Sequence, residues 1–171
     1  MKILYLHGLE SKLSEEKRTI LGRFGEVSAP NLNYYNNPDA IESIVEKYGK
    51  AGIDVVIGSS IGGFAAYYVS TVLKKPALLF NPALRKRSVE QIIPSEAINS
   101  YTLKHFVLGA DDNVVNPADT MNFISEKYNE FTDFHLHIRP KLAHSIPVHV
   151  FEDEVENFFT QVLGKYIKQR H

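Results

Sequence analysis

Short apolar runs alternate with longer segments of helical periodicity along the chain. Four of these runs predict buried strands, at residues 3–6, 55–57, 77–80 and 105–108. Residues 134–138 alternate apolar and polar side chains, which is typical of a strand with one face exposed. A short strand is also expected at residues 27–29, so the pattern predicts about six strands.

Between the predicted strands, apolar residues recur with the spacing of an amphipathic helix. This spacing predicts helices at residues 14–24, 39–49, 61–73 and 117–129, and a last helix that begins near His149. Ser14 followed by two glutamates and Pro117 at a first helical position are typical of helix starts. Residues 29–39 and 81–102 lack a clear period and are predicted as loops, the second with room for one short helix.

This alternation predicts an α/β fold, a three-layer sandwich in which helices cover both faces of a mostly parallel sheet of about six strands. With 171 residues, we expect one domain over residues 1–171. Ligands of such sheets bind beyond the carboxyl ends of the strands. The residues that directly follow each predicted strand are therefore the first candidates for a functional site.

Composition narrows the classes of function. Nineteen Lys and Arg balance 20 Asp and Glu, so no excess charge favours nucleic acid or an anionic membrane as a partner. The chain has no cysteine, which excludes disulfides, thiolate metal ligands and a cysteine nucleophile. The apolar run at residues 3–6 is too short for a signal peptide, and we expect a cytoplasmic protein. We expect neither a metal nor a cofactor, because no His-x-Asp or His-Glu-x-x-His spacing occurs.

The most informative stretch is VVIGSSIGGFAAYYV, residues 55–69, where a predicted strand turns directly into a predicted helix. Gly58, Ser60 and Gly62 match the Gly-x-Ser-x-Gly nucleophile elbow, whose glycines remove the Cβ atoms that would crowd the serine at the apex. Ser59 has the wrong spacing for this role. No lysine completes a Walker loop and the glycines do not match Gly-x-Gly-x-x-Gly. The alternative is a tight turn with a capping serine.

A serine nucleophile needs a base, and the base needs an acid to orient it. In elbow-type hydrolases the chain order is serine, acid, histidine. Asp111 and Asp112 both follow the strand at 105–108, and His144 lies in the loop after the last strand. His149, at the start of the last helix, is the alternative base.

Two backbone N–H groups are required to stabilise the oxyanion of a tetrahedral intermediate. The residue after the nucleophile, Ile61, supplies one of them in an elbow of this kind. The loop after the first strand, LHGLES, is expected to supply the other from Leu9.

With these residues placed, the chain resembles the α/β-hydrolases, and in particular the small YqiA-type esterases. The resemblance lies in ILYLHGLESK at the first strand, IGSSIGGFAAYYV at the elbow and LLFNPAL after the next strand. It implies that the acid is Asp112, because the acid commonly stands three residues after a strand-ending glycine, here Gly109. It also implies His144 as the base, since a small residue, Ala143, precedes it.

The resemblance implies a cofactor-free serine hydrolase that cleaves small-molecule carboxylic esters through an acyl-enzyme on Ser60. Larger relatives insert a lid where this chain has only residues 81–102, so we expect no lid domain, an open pocket and short acyl substrates. The residues expected at the substrate pocket are His7, Gly8, Asn81 and Phe64. For His7 a hydrogen bond that braces the loop is favoured over a role in the pocket. A cap of the loop is the alternative for Asn81, and a place in the core or on the surface is the alternative for Phe64.

Other functions use the same features. A thioesterase or a peptidase would employ the same triad, and a non-catalytic protein-binding module could retain the fold without using it. A Ser60 hydroxyl that is open to solvent beside His144 would favour the enzyme. An elbow covered by Tyr34 or Tyr35, which are candidate walls of the site, would favour the module. The sequence leaves the natural substrate and the oligomeric state open.

Overall fold

Six parallel strands form a single sheet in the structure, a computed structural model that describes residues 1–97 and 101–168. The strands are β1 (Lys2–Leu6), β2 (Glu26–Ser28), β3 (Val55–Ser59), β4 (Ala77–Phe80), β5 (Lys104–Gly109) and β6 (Phe134–Arg139). Their order across the sheet is β2-β1-β3-β4-β5-β6, and every neighbouring pair is parallel.

Five helices connect the strands and cover both faces of the sheet. They are α1 (Glu15–Gly22), α2 (Ala40–Tyr48), α3 (Ile61–Val72), α4 (Pro117–Lys127) and α5 (Val148–Lys168). Buried side chains of α1 and α5 form one hydrophobic cluster with the sheet, and those of α2, α3 and α4 form the other. The predicted three-layer α/β architecture is therefore confirmed.

Strand β3 shows why the central strands are continuously apolar. Val55 and Ile57 belong to the cluster with α1 and α5, while Val56 between them belongs to the opposite cluster. Successive side chains of a strand point to opposite faces, so a strand covered on both sides requires apolar residues at every position.

Several predicted boundaries differ from the observed ones by one or two residues. Helix α1 ends at Gly22 rather than at residue 24, because the N–H of Phe24 bonds to the carbonyl of Leu21 and closes a tighter last turn. The segment 81–102 has neither helix nor strand among its described residues, so the short helix allowed there does not form in that part. In the part of the chain that the structure describes, no helix is long and apolar enough to cross a membrane.

The strand order creates a crevice at the carboxyl edge of the sheet. Strand β1 lies between β2 and β3, so the chain leaves β1 toward one side and later returns to pair with its other side. Such a switch point is where open α/β sheets bind ligands. Leu6 pairs with Gly58, and Ser59 pairs with Phe80, so the strand ends lie level along this edge.

One lysine is fully buried at the opposite end of the sheet. The ammonium group of Lys104, at the start of β5, donates hydrogen bonds to the hydroxyl of Thr102 at 2.6 Å and to the carbonyl of Lys75 at 3.3 Å. Desolvation, opposed in part by the charge of Asp133, lowers the pKa of Lys104 to about 7. The folded protein therefore releases this proton far more readily than an exposed lysine does.

This shift predicts a rise of stability with pH. Between pH 7 and 10.5 the unfolded chain keeps the proton of Lys104, whose ordinary pKa is 10.5, while the folded chain loses it. The free energy of unfolding should therefore increase across this range, by on the order of a few kcal/mol. Urea denaturation at a series of pH values should show this increase in the wild type and a much smaller one in Lys104→Met. The exposed control Lys50→Met should retain it. Parallel curves for wild type and Lys104→Met would contradict the assignment.

Candidate active site

Ser60 stands at the sharp turn between β3 and α3. Its backbone has φ 57° and ψ −122°, a conformation that residues with a Cβ rarely adopt. Three backbone hydrogen bonds hold this turn: the N–H of Ser60 donates to the carbonyl of Phe80, and its carbonyl accepts from the N–H groups of Phe64 and Ala83, all at 2.9–3.1 Å. The strained apex is thus fastened to β4 and to the loop that follows it.

Two glycines let the helix approach the sheet at this point. A Cβ on Gly58 would overlap the backbone of Gly62, and a Cβ on Gly62 would overlap the carbonyls of Leu6 and His7. The first turn of α3 therefore packs backbone to backbone against the end of β1. The glycines of the motif therefore make room for neighbouring backbone, whereas the sequence predicted room for Ser60 itself.

His144 and Asp112 form an ion-pair-like contact beside this turn. The Nδ1 atom of His144 lies 2.8 Å from Oδ2 of Asp112, and the other carboxylate oxygen accepts the N–H groups of Val114 and Val115 at 2.8 and 2.9 Å. The side chain of Asp112 is fully buried, whereas Asp111 is exposed. In the neutral tautomer in which Nδ1 donates to this carboxylate, Nε2 carries the free lone pair that a general base needs.

Asn81, which directly follows β4, holds the histidine loop in place. Its amide nitrogen donates to the carbonyls of Ala143 and His144, both at 3.1 Å. Its amide oxygen accepts the N–H of Gly109 at 2.7 Å. One buried side chain thereby links the ends of β4 and β5 to the loop after β6.

Ser60 and His144 line a common cavity of 470 Å³ that is open to solvent. This volume lies within the ordinary range of small-molecule sites. Within the described part of the chain, no hydrogen bond joins the Ser60 hydroxyl to His144, as is common before a substrate is bound. The histidine that β6 was expected to deliver is therefore at the cavity, while the alternative, His149, is exposed at the start of α5 and does not line it.

Leu9 and Ile61, the two expected oxyanion donors, both line the cavity as well. Neither of their N–H groups donates a hydrogen bond to another described residue. Gly8 allows the loop after β1 to lie close to the turn at Ser60, because a Cβ placed on Gly8 would lie 3.4 Å from the Cβ of Ser60. The cavity thus combines a hydroxyl, an imidazole and two unpaired backbone donors.

Three of the four residues expected at the substrate pocket do not line this cavity, and only Gly8 does. Phe64 is fully buried beneath the elbow, where helical periodicity turns it into the core. Asn81 is buried behind the histidine loop. His7 braces its own loop, since its Nε2 accepts the N–H of Leu32 at 2.8 Å. The sequence does not show these surroundings, because the residues that contact the three side chains are distant along the chain or belong to the core.

The two tyrosines that were candidate walls lie outside the cavity lining as well. Tyr34 is buried and donates its hydroxyl to the carbonyl of His7 at 3.1 Å. Burial raises the pKa of Tyr34 strongly, so the hydroxyl stays a proton donor. Tyr35 is exposed. The lining of the cavity instead includes four cationic residues, which are Lys12, Lys17, Lys86 and Arg87.

A second polar cluster lies where β5, β6 and α5 meet, apart from the residues that line this cavity. The buried carboxylate of Glu154 contacts Nε of Arg139 at 2.5 Å, Nδ1 of His137 at 2.7 Å and Nε2 of His105 at 3.3 Å. Burial alone would raise the pKa of Glu154, but these partners lower it to about 2. The two histidines and the glutamate have the donor atoms of a metal site, but Arg139 already supplies a cation to the carboxylate. We interpret the cluster as a structural ion-pair network.

The parallel sheet with helices on both faces gives the protein the α/β-hydrolase fold. Solved structures of this fold align over nearly the whole chain. Est1E from Butyrivibrio proteoclasticus shares 14% identity over 95% of this chain and 88% of its own, with a TM-score of 0.68. XC6422 from Xanthomonas campestris, described as a serine hydrolase without lid, shares 14% over 94% and 81%, with a TM-score of 0.65. SOBER1 from Arabidopsis thaliana shares 18% over 93% and 99%, with a TM-score of 0.63.

The family is identified from the part of the sequence that contains strands β1–β5 and helices α1–α3. Residues 2–118 match the model of the family described as "Uncharacterised protein family (UPF0227)", and the chain belongs to that family. This is the YqiA-type family that the sequence motifs resemble. The matched region includes the oxyanion loop, the elbow and the candidate acid, and it ends before the candidate histidine.

The three hydrogen bonds of Asn81 predict a large effect of its removal. Asn81→Ala leaves the N–H of Gly109 and two loop carbonyls without their partner, which should cost roughly 2–4 kcal/mol of unfolding free energy. Urea denaturation followed by circular dichroism measures this loss. The control Asn31→Ala, at an exposed position, should stay within about 0.5 kcal/mol of the wild type. Equal midpoints for the two variants would show that the bonds of Asn81 do not hold the site together.

Proposed function

We propose that the protein is a serine hydrolase that cleaves carboxylic esters with short acyl chains through an acyl-enzyme on Ser60. The single observation that carries this proposal is the shared cavity of Ser60 and His144, with Asp112 bonded to the far side of the imidazole. These are the three roles of a serine triad in its usual chain order.

The chemistry follows from the positions of these groups. The Oγ of Ser60 attacks the ester carbonyl carbon while Nε2 of His144 takes the hydroxyl proton. The N–H groups of Ile61 and Leu9 stabilise the oxyanion of the tetrahedral intermediate. His144 then returns the proton to the leaving alcohol, and water repeats the sequence to release the acid and restore the serine. Asp112 holds the imidazole tautomer and stabilises its cation throughout.

The exposure of the elbow favours an enzyme over a protein-binding module. Ser60 is half-buried and faces an open cavity, and neither Tyr34 nor Tyr35 lines that cavity. A module that kept the fold for protein contacts would have no need for a serine in a strained backbone beside an oriented histidine. Short acyl chains are proposed because the described residues between β4 and β5 form no helix or strand that could cover a long chain.

Labelling with a fluorophosphonate probe tests the nucleophile. The wild type should be modified at Ser60, and Ser60→Ala should abolish the modification. His144→Ala and Asp112→Asn should each slow it roughly 10²-fold or more, since each removes part of the base. Mass spectrometry of the labelled peptide and the second-order rate of labelling measure both effects.

The neighbouring carboxylate provides a matched control for the acid. Asp111→Asn changes the same charge one residue away, at an exposed position, and should label at the wild-type rate. Labelling that is unaffected by Ser60→Ala would reject the proposed function. Esters, thioesters and anilides of one short acid, compared by kcat/KM, then separate the esterase from the thioesterase and the peptidase.

A further inference from the structure

The cavity beside Ser60 is more basic than the protein as a whole. The chain has 19 Lys and Arg against 20 Asp and Glu, yet the described lining of the cavity includes four cations and no carboxylate. Within a confined site, charges of one sign add to a field that concentrates ligands of the opposite sign. The presence of four cationic residues in one cavity therefore suggests a role in binding a ligand, and not only a contribution to the solubility of the protein.

Three of these cations have no carboxylate partner among the described residues. Lys86 is the exception, since its ammonium group lies 3.0 Å from a carboxylate oxygen of Asp119. Lys12, Lys17 and Arg87 form no salt bridge within the described part of the chain, and we call these three residues the cationic rim. Lys12 follows β1, Lys17 lies on α1 and Arg87 follows β4, so the rim is built from three separate segments.

Two members of the rim are held in position by neutral groups. The guanidinium of Arg87 lies over the ring of Phe64, 4.0 Å from its centroid, and donates to the carbonyl of Leu84 at 2.9 Å. The ammonium of Lys17 donates to the carbonyl of Ile146 at 2.7 Å. These contacts fix the cations without neutralising them, which reduces the entropy lost when an anion binds.

No carboxylate of a described residue lines this cavity, although Glu10 and Glu15 line an adjoining cavity together with Lys12. Asp112 is fully buried and already paired with His144, and its other oxygen accepts two backbone N–H groups. Glu16 stands next to Lys17 along α1, but its side chain is exposed and does not line the cavity. A substrate in the cavity therefore meets a net positive wall.

We propose that the cationic rim binds an anionic group, a carboxylate or another acid, carried by the ester that Ser60 cleaves. This inference rests on the proposed function and adds a substrate class to it. The guanidinium of Arg87, of which one terminal nitrogen already donates to Leu84, is a group that suits a carboxylate, and the two lysines contribute further positive charge. Neutral esters of the same size are accepted, with weaker binding.

Matched pairs of esters test the substrate class. Mono-4-nitrophenyl adipate has a terminal carboxylate, and its methyl ester is a neutral analogue of nearly the same shape. We expect kcat/KM for the acid to exceed that for the methyl ester roughly tenfold, chiefly through KM, because three partly exposed ion contacts each contribute modestly. A second pair, 4-carboxyphenyl hexanoate and its methyl ester, places the charge on the alcohol side. The pair with the larger preference identifies the side that faces the rim.

Variants assign the preference to particular residues. Lys12→Gln, Lys17→Gln and Arg87→Gln should each reduce the ratio of kcat/KM for the acid to kcat/KM for the methyl ester by roughly twofold to fivefold. Lys50→Gln removes the same charge from an exposed site that does not line the cavity and should leave the ratio unchanged. Raising the ionic strength from 0.05 to 0.5 M should shrink the ratio in the wild type, because salt screens these contacts.

The experiments distinguish rejection of the anion-binding role of the cationic rim from rejection of the proposed hydrolase activity. Equal rates for both members of each pair, or a preference that survives all three variants, would overturn the rim while leaving the hydrolase intact. If no ester is cleaved at all, calorimetric binding of adipate against dimethyl adipate to the wild type and to Ser60→Ala still tests the rim. Preferential binding of adipate that Arg87→Gln and Lys12→Gln weaken would support it, and equal or absent binding of the two compounds would reject it.

Discussion

The close contact between the first turn of α3 and the end of β1 is the constraint on which the site depends. Gly62 lies directly against the carbonyls of Leu6 and His7, at a separation that no side chain permits. This contact presses the start of the helix onto the crevice between β1 and β3 and forces Ser60 into its strained backbone. It also brings the loop after β1, with Leu9, beside the serine. The positions of the candidate nucleophile and of both candidate oxyanion donors follow from one close approach of two backbone segments.

Backbone strain is concentrated at the same edge of the sheet. Of the five non-glycine residues with positive φ in the described chain, four follow a strand that ends there, and they are Glu10, Ser60, Asn81 and Lys141. Each such residue costs free energy that the surrounding fold must offset. The tightly hydrogen-bonded core of parallel strands beneath them supplies that support. At the opposite end of the sheet, the burial of the amino group of Lys104 costs free energy instead.

The strands and helices could be predicted because they depend on local periodicity, and the candidates for the triad because they follow strands, with the family resemblance favouring Asp112 over Asp111. A loop-bracing role for His7 was also expected, but the hydrogen-bond partners of Asn81 and His7 could not be predicted. Asn81 acts on backbone carbonyls 62 and 63 residues away, and His7 accepts from a loop 25 residues away. Such partners depend on how loops fold over one another. The charged wall of the cavity was also missed, since Lys12, Lys17 and Arg87 are dispersed along the chain and only the fold collects them.

The residue that follows Asn81 has a consequence for the lifetime of the site. Asparagine loses its amide over time mainly when the next backbone nitrogen attacks the side chain and forms a succinimide ring. Pro82 has no N–H at that position, so this route of chemical ageing is closed. Deamidation would place a carboxylate against the carbonyls of Ala143 and His144 and expel the histidine loop. The order Asn-Pro thus protects the amide that joins the ends of β4 and β5 to the histidine loop.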